Sequence, residues 1–203
     1  MKIICVDQNY LTPEAPEPDT TDPILYLKPE TALTRSDWPF FVPDWSQQIE
    51  FQVELVVRLC KLGKSIPERF AHRYYDEITL GVNFTARDVL NDRIAKGLPW
   101  EIATGFDGSA YCGQQWLRLS ELGKSPQDLH FDIQFNGTPL LSVSTAQMRH
   151  TIDHLISYAS RYYLLKTGDL LFTGAPTPCG VVQEGSLITA TLDSHPLLSC
   201  HCK

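Results

Sequence analysis

Between Ile49 and Leu59 polar and apolar residues alternate. Phe51, Val53 and Leu55 fall on one side, and Glu50, Gln52 and Glu54 on the other. Period two is the signature of a strand with two chemically different faces. A second alternating stretch, residues 130–143, is split by Asn136-Gly137. That dipeptide favours the tight type I′ turn of a hairpin. Two stretches carry helical spacing. Thr145 to Tyr163 repeats Met148, Ile152, Leu155, Ile156 and Ala159 on one face, and Ala86 to Lys96 ends at Gly97, with Leu98-Pro99 enforcing the stop. Ile66 to Tyr75 reads as a short helical piece, and Leu187 to His201 returns to strands. Residues 11–23 hold four prolines and no period, which makes them a stiff loop. No internal repeat appears. Many strands and few helices predict a mainly β or α+β fold, built as one domain over residues 1–203.

Composition narrows the class. A chain of 203 residues with 43% apolar content can bury one sizeable core. It contains no apolar run of membrane-spanning length, and the patch after Met1-Lys2 is too short for a signal peptide. Cysteines at 5, 60, 112, 179, 200 and 202 form no Cys-x-x-Cys pair. They predict reduced thiols in a cytoplasmic protein. A net charge of −7 excludes a general nucleic-acid binder, which needs clustered cations against phosphate.

Five segments carry the chemistry. They are Ile4-Cys5-Val6-Asp7-Gln8-Asn9-Tyr10, Leu27-Lys28-Pro29, Gln52-Val53-Glu54, Gly81-Val82-Asn83-Phe84-Thr85-Ala86-Arg87-Asp88 with Lys96-Gly97-Leu98-Pro99-Trp100 after it, and Gly168-Asp169 followed by Thr173-Gly174-Ala175-Pro176. In kind and order they resemble the motifs of the fumarylacetoacetate hydrolase family, over residues 4 to about 185. The resemblance implies mixed β-sheets folded into a β-roll or barrel-like core with a few short helices. It also implies a homodimer and a small 2-oxo or diketo acid as substrate. In that family a divalent metal, Mg2+ or Ca2+ here, chelates the acid and stabilises an enolate formed by hydrolysis, decarboxylation or isomerisation.

Carried over residue by residue, the metal positions read Gln52, Glu54 and Asn83. Three carboxylates have become one. Amide oxygens lack charge, and Ca2+ tolerates them better than Mg2+ does, so the expectation is a weakened site or no metal at all. Glu50 shares the strand face and either reaches in or stays solvated at the rim. Thr104 stands where the family carries a lysine, Leu90 where it often carries a glutamine, and Ala175 where it has a second threonine. The loop after Asn9-Tyr10 has no histidine for a water-activating pair. Glu14 is its candidate general base, with Glu17, Asp19 and Asp22 as the other acids. Arg87 either grips a substrate carboxylate or pairs with Asp88 or Asp107. Lys28 and Asn9 match family positions near the substrate. The residues alone suggest an acid-paired buried lysine and an anchor for the loop start. His150 and His154, four apart on the expected helix, read as surface residues. Cys200-His201-Cys202 reads as part of a strand, because adjacent ligands cannot close a tetrahedral site. Two functions follow: an oxo-acid enzyme with reduced or altered chemistry, or a non-catalytic relative that binds a ligand or serves assembly.

Overall fold

A computed structural model describes residues 1–11, 21–34 and 37–203. Among these residues the strands are β1 Ile3–Asp7, β2 Ile24–Lys28, β3 Leu33–Thr34, β4 Ile49–Leu59, β5 Tyr75–Ala86, β6 Ala110–Cys112, β7 Leu117–Arg118, β8 His130–Phe135, β9 Thr138–Ser144, β10 Leu170–Phe172, β11 Gly180–Val181, β12 Leu187–Leu192 and β13 His195–His201. The helices are α1 Arg87–Ala95, α2 Glu101–Thr104, α3 Leu119–Leu122 and α4 Ile152–Tyr162. This is the expected strand-rich α+β fold.

The larger sheet runs β2-β1-β10-β4-β5-β6-β3, with β11 added beside β4 and β7 beside β5. Chain connectivity forces it to curl. Edge strands β2 and β3 stand six strand spacings apart, roughly 29 Å if the sheet were flat. Only five residue steps join Lys28 to Leu33, and they reach about 18 Å at most. The turn Glu30–Ala32 therefore bridges the two edges of a half-barrel. The second sheet, β13-β12-β8-β9, packs on the outside.

Two apolar clusters follow. Outside the curl, Phe51, Val53, Leu55 and Val57 of β4 meet Phe131, Ile133, Ile188 and the buried face of α4. Inside it, Ile3, Cys5, Val56, Ala110, Cys112, Leu170 and Phe172 fill one end. Strand β5 is buried along most of its length. Its two-sided burial hides the alternation by which a strand is recognised, which is why its extent was not legible.

The Asn136-Gly137 hairpin forms, with φ of 52° and 78° at the turn. Helix α1 ends as expected, with Gly97 at φ 62° and Leu98 N–H bonded to Arg93 O. The other helical expectations shift. The 66–75 piece is a 3₁₀ helix over Glu68–Arg73, and Tyr75 already belongs to β5. The 145–163 helix is broken: Thr145–Gln147 is a 3₁₀ turn, and α4 begins only after Thr151, whose side chain caps the His154 N–H. A free Thr hydroxyl at an N-cap competes with helix continuation. His150 thus lies before the helix rather than on it. Both histidines are half-buried, and their rings stack with centroids 5.2 Å apart. Of the 11–23 loop, residues 12–20, including Glu14, Glu17 and Asp19, lie outside the described residues.

Candidate functional site

The half-barrel carries its polar residues on the inner wall. On β4, Glu50, Gln52 and Glu54 share the inward face with Val56. Opposite them on β5 the register sets Asn83 beside Gln52 and Gly81 beside Glu54. Gly81 has to be glycine: a Cβ there would come within 2.7 Å of both Tyr111 O and Val56 Cγ2. From the facing wall β2 contributes Tyr26 and Lys28, two residues apart and so on one face.

These groups form a closed network. Glu54 is fully buried. Its Oε1 accepts from Asn83 Nδ2 at 2.7 Å, and its Oε2 accepts from the Gly174 N–H at 2.6 Å. Asn83 Nδ2 also donates to the Tyr26 hydroxyl at 2.7 Å. Asn83 Oδ1 is buried with no partner among the described residues. Gly174 takes φ 89°, and a Cβ there would press on Asn9 Cβ and Val6 O at 3.0 Å. Asn9 is buried. It donates to Thr173 O at 2.9 Å and accepts from the His150 N–H at 2.9 Å, so it ties the loop start to the strand that presents Gly174.

Burial sets the electrostatics. It raises the Glu54 carboxyl to about 7; the Asn83 and Gly174 hydrogen bonds and the Lys28 charge pull it back, and Asp7 adds to the rise. Burial lowers Lys28 to about 8, against the opposing pull of Cys5 and Glu54. Among the described residues Lys28 is not paired with an acid as expected. Its ammonium donates to Ser109 O at 2.7 Å and Phe84 O at 3.0 Å, which clamps β2 across the barrel. Burial also pushes the Tyr26 hydroxyl and the Cys5 thiol well above their usual ranges.

The remaining expected site residues separate. Arg87 pairs with neither Asp88 nor Asp107. Its Nε donates to Glu50 Oε2 at 2.7 Å, because Asp88 is already held by Ser46 and the Gln47 and Val89 N–H groups. Glu50 is accordingly ion-paired rather than solvated. Thr104 is buried on α2, its hydroxyl without a partner among the described residues, and Ala175 is buried beside Gly174. Asp169 closes the Lys166–Asp169 turn and holds Lys2, and Cys200 sits within β13. Tyr26, Gly174 and Ser109 went unrecognised as partners. Of these only Tyr26 had a signal, its period-two spacing from Lys28.

A divalent ion fits this donor set poorly. The cluster offers one carboxylate, whose two oxygens already accept N–H donors. Asn83 turns its nitrogen, not its oxygen, toward that carboxylate. The contact of 2.7 Å leaves no room for an ion between the two side chains, and hard cations take oxygen ligands at roughly 2.0–2.6 Å. Among the described residues no three His, Cys, Asp or Glu side chains gather closely enough to hold one.

Comparison with known proteins agrees with the motifs. The family model of the fumarylacetoacetate (FAA) hydrolase C-terminal domain matches residues 2–201. The chain is 34% identical over 193 residues to the mitochondrial oxaloacetate tautomerase of Rattus norvegicus, covering 94% of this chain and 86% of that one. It is 31% identical over 198 residues to an oxaloacetate tautomerase of Escherichia coli, covering 97% and 90%. Its fold superposes on the fumarylpyruvate hydrolase of Pseudomonas aeruginosa, solved with Mn2+ and pyruvate, with TM-score 0.89, 27% identity and coverage of 100% and 89%. It also superposes on the 5-carboxymethyl-2-hydroxymuconate delta-isomerase of Mycobacterium smegmatis, with TM-score 0.86, 25% identity and coverage of 99% and 78%. Curled barrel, motif order and whole-length match together make this chain a member of the fumarylacetoacetate hydrolase family.

Proposed function

We propose that this chain acts on a small 2-oxo or diketo acid by moving a proton, with altered and reduced chemistry compared with metal-dependent members of its family. The single observation that carries the reading is the Glu54–Asn83–Tyr26 chain, 2.7 Å at each link, with the Glu54 carboxyl raised to about 7. A carboxyl titrating near neutrality can both give and take a proton, which keto–enol interconversion requires. The Tyr26 hydroxyl stands in this chain as the acceptor of Asn83 Nδ2, and the buried Lys28 charge favours an anion there. Hydrolysis is a poorer match. Thr104 supplies no cation, and no histidine follows Asn9-Tyr10 to activate water. Two relatives are named as oxaloacetate tautomerases, which favours oxo-acid proton transfer as the surviving activity. We read the chain as one domain acting as a cytoplasmic homodimer.

One observation favours a second reading, a non-catalytic ligand-binding or assembly protein. Glu54 is fully buried and both its oxygens are bonded, so the carboxyl works on a ligand only if the network opens. Spectroscopic assay of oxaloacetate tautomerisation, with wild type and Glu54→Gln side by side, decides between the two. Rate enhancement lost in the variant supports the first, and equal, background rates support the second.

A further inference from the structure

The chain runs on from β13 to Cys202, which bridges in parallel to Phe40. Cys200 and Cys202 are two apart on this extended segment, so their side chains leave the same face. That face is the buried one. Cys200 is 0% and Cys202 2% exposed, while His201 between them is exposed. The backbone is clamped from both sides. Cys200 pairs with Ile188 in β12, the Cys202 N–H donates to Ser186 O at 2.9 Å, and the Phe40 N–H donates to His201 O at 2.8 Å. The two thiols hydrogen-bond to each other. Cys202 also lines an open cavity of about 480 Å3, with Glu184, Gly185, His201 and Lys203.

Two sulfurs held side by side in an apolar wall can close a disulfide or share a soft ion. The strand disfavours the first. Same-face neighbours on an extended strand have Cα atoms roughly 6.8 Å apart, at the far limit of the range of about 4.4–6.8 Å in which a disulfide closes. The β12–β13 register is regular from Leu187 to Ala190, so no bulge shortens the span. Among the described residues no cluster of three His, Cys, Asp or Glu side chains includes the pair. A tetrahedral ion such as zinc therefore lacks its shell. Cu(I) differs: thiolate is the ligand class that selects it, and two thiolates in line satisfy it.

We propose that Cys200 and Cys202 form a two-coordinate thiolate site for Cu(I), entered from the cavity beside Cys202. Binding joins the ion to both sulfurs and releases both thiol protons to solvent, with no change of oxidation state. The order of proton loss suits that entry. The hydrogen bond from Cys200 makes the Cys202 thiol the more acidic of the two, and Cys202 is the one at the cavity. Both sulfurs belong to the outer apolar cluster, apart from the half-barrel interior that holds Glu54. The site is therefore independent of the oxo-acid reading.

Anaerobic titration of the reduced full chain with Cu(I), against a colorimetric Cu(I) chelator as competitor, tests this. The protein is expected to take a single ion from the chelator, and to hold it more tightly as pH rises. Cys200→Ser and Cys202→Ser should each weaken binding by more than about a hundredfold, beyond the 10–100-fold that an outer-shell partner costs. Cys112→Ser, which removes a buried thiol elsewhere, should leave it unchanged. Melting curves establish that each variant folds. X-ray absorption of the loaded wild type is expected to show sulfur neighbours alone in a linear shell, and it decides without any variant. Nitrogen or oxygen neighbours, equal affinity for Zn2+, binding kept in both serine variants of the pair, or no uptake overturns the proposal.

Discussion

Asn83 donates its side-chain N–H to Glu54 Oε1 across 2.7 Å, from the strand next to it in the sheet. The direction of that bond matters as much as its length. Between a carboxylate and an aspartate the same approach would be repulsive, and a shared cation would be the natural remedy. An amide nitrogen needs no cation, because it brings its own positive hydrogen to the carboxylate and to Tyr26. The cost is an Asn83 oxygen left in the interior without a partner among the described residues.

Charge restored at the two amide positions should therefore bring a metal in. Gln52→Glu combined with Asn83→Asp places three carboxylates on facing positions of β4 and β5. Calorimetry with Mn2+ is expected to show at least about tenfold tighter binding than wild type, since attraction to a dication exceeds what desolvation removes. Equal affinity in the two proteins would show that Asn83 and Gln52 do not decide metal binding.

Stability should carry the mark of Glu54. Burial holds its carboxyl at about 7 in the fold, against an ordinary value of 4.5. The folded state therefore holds the extra proton between those values, and its contribution is complete below about 4.5 and lost as pH rises through about 7. Chemical denaturation from about pH 4 to about pH 8 is expected to show stability falling across that window in wild type relative to Glu54→Gln. Parallel profiles would mean that the fold leaves the Glu54 carboxyl at its ordinary value.

Packing under the site has little slack. Gly81→Ala drives a methyl against Tyr111 O and Val56, and a cost of about 1–3 kcal/mol or more is expected in urea unfolding. On the outer face, Leu155→Ala should cost about 2–5 kcal/mol, because Leu155 is fully buried against the core. A neutral Gly81→Ala would show that β4, β5 and β6 sit less tightly than described.

Much of this fold was legible in the sequence, and the reasons are local. β4 has two faces of opposite character, the Asn136-Gly137 turn has its own dipeptide, and Gly97 supplies the φ that ends α1. β5 lacked such a signal because both its faces are buried. The second tight turn, Asp193-Ser194 with φ of 43° and 72°, uses no glycine and gave no sign. At the site, the identities of Glu54, Asn83 and Gln52 were readable as a group. The partners that complete it were not. The Gly174 N–H is backbone, the carbonyls that hold Lys28 are backbone, and Glu50 reaches Arg87 across 37 positions of sequence. Motif spacing records side-chain identity and says nothing about which main-chain groups converge.

In the proposed function Glu54, held by Asn83 in place of an ion, performs the proton transfer. Oxaloacetate tautomerisation measured on chelator-treated protein tests it most directly. The expected result is a protein-dependent acceleration that survives the chelator, is unchanged by added Mg2+ or Mn2+, and disappears in Glu54→Gln. Acceleration that is absent after chelation and returns only with added metal would contradict it.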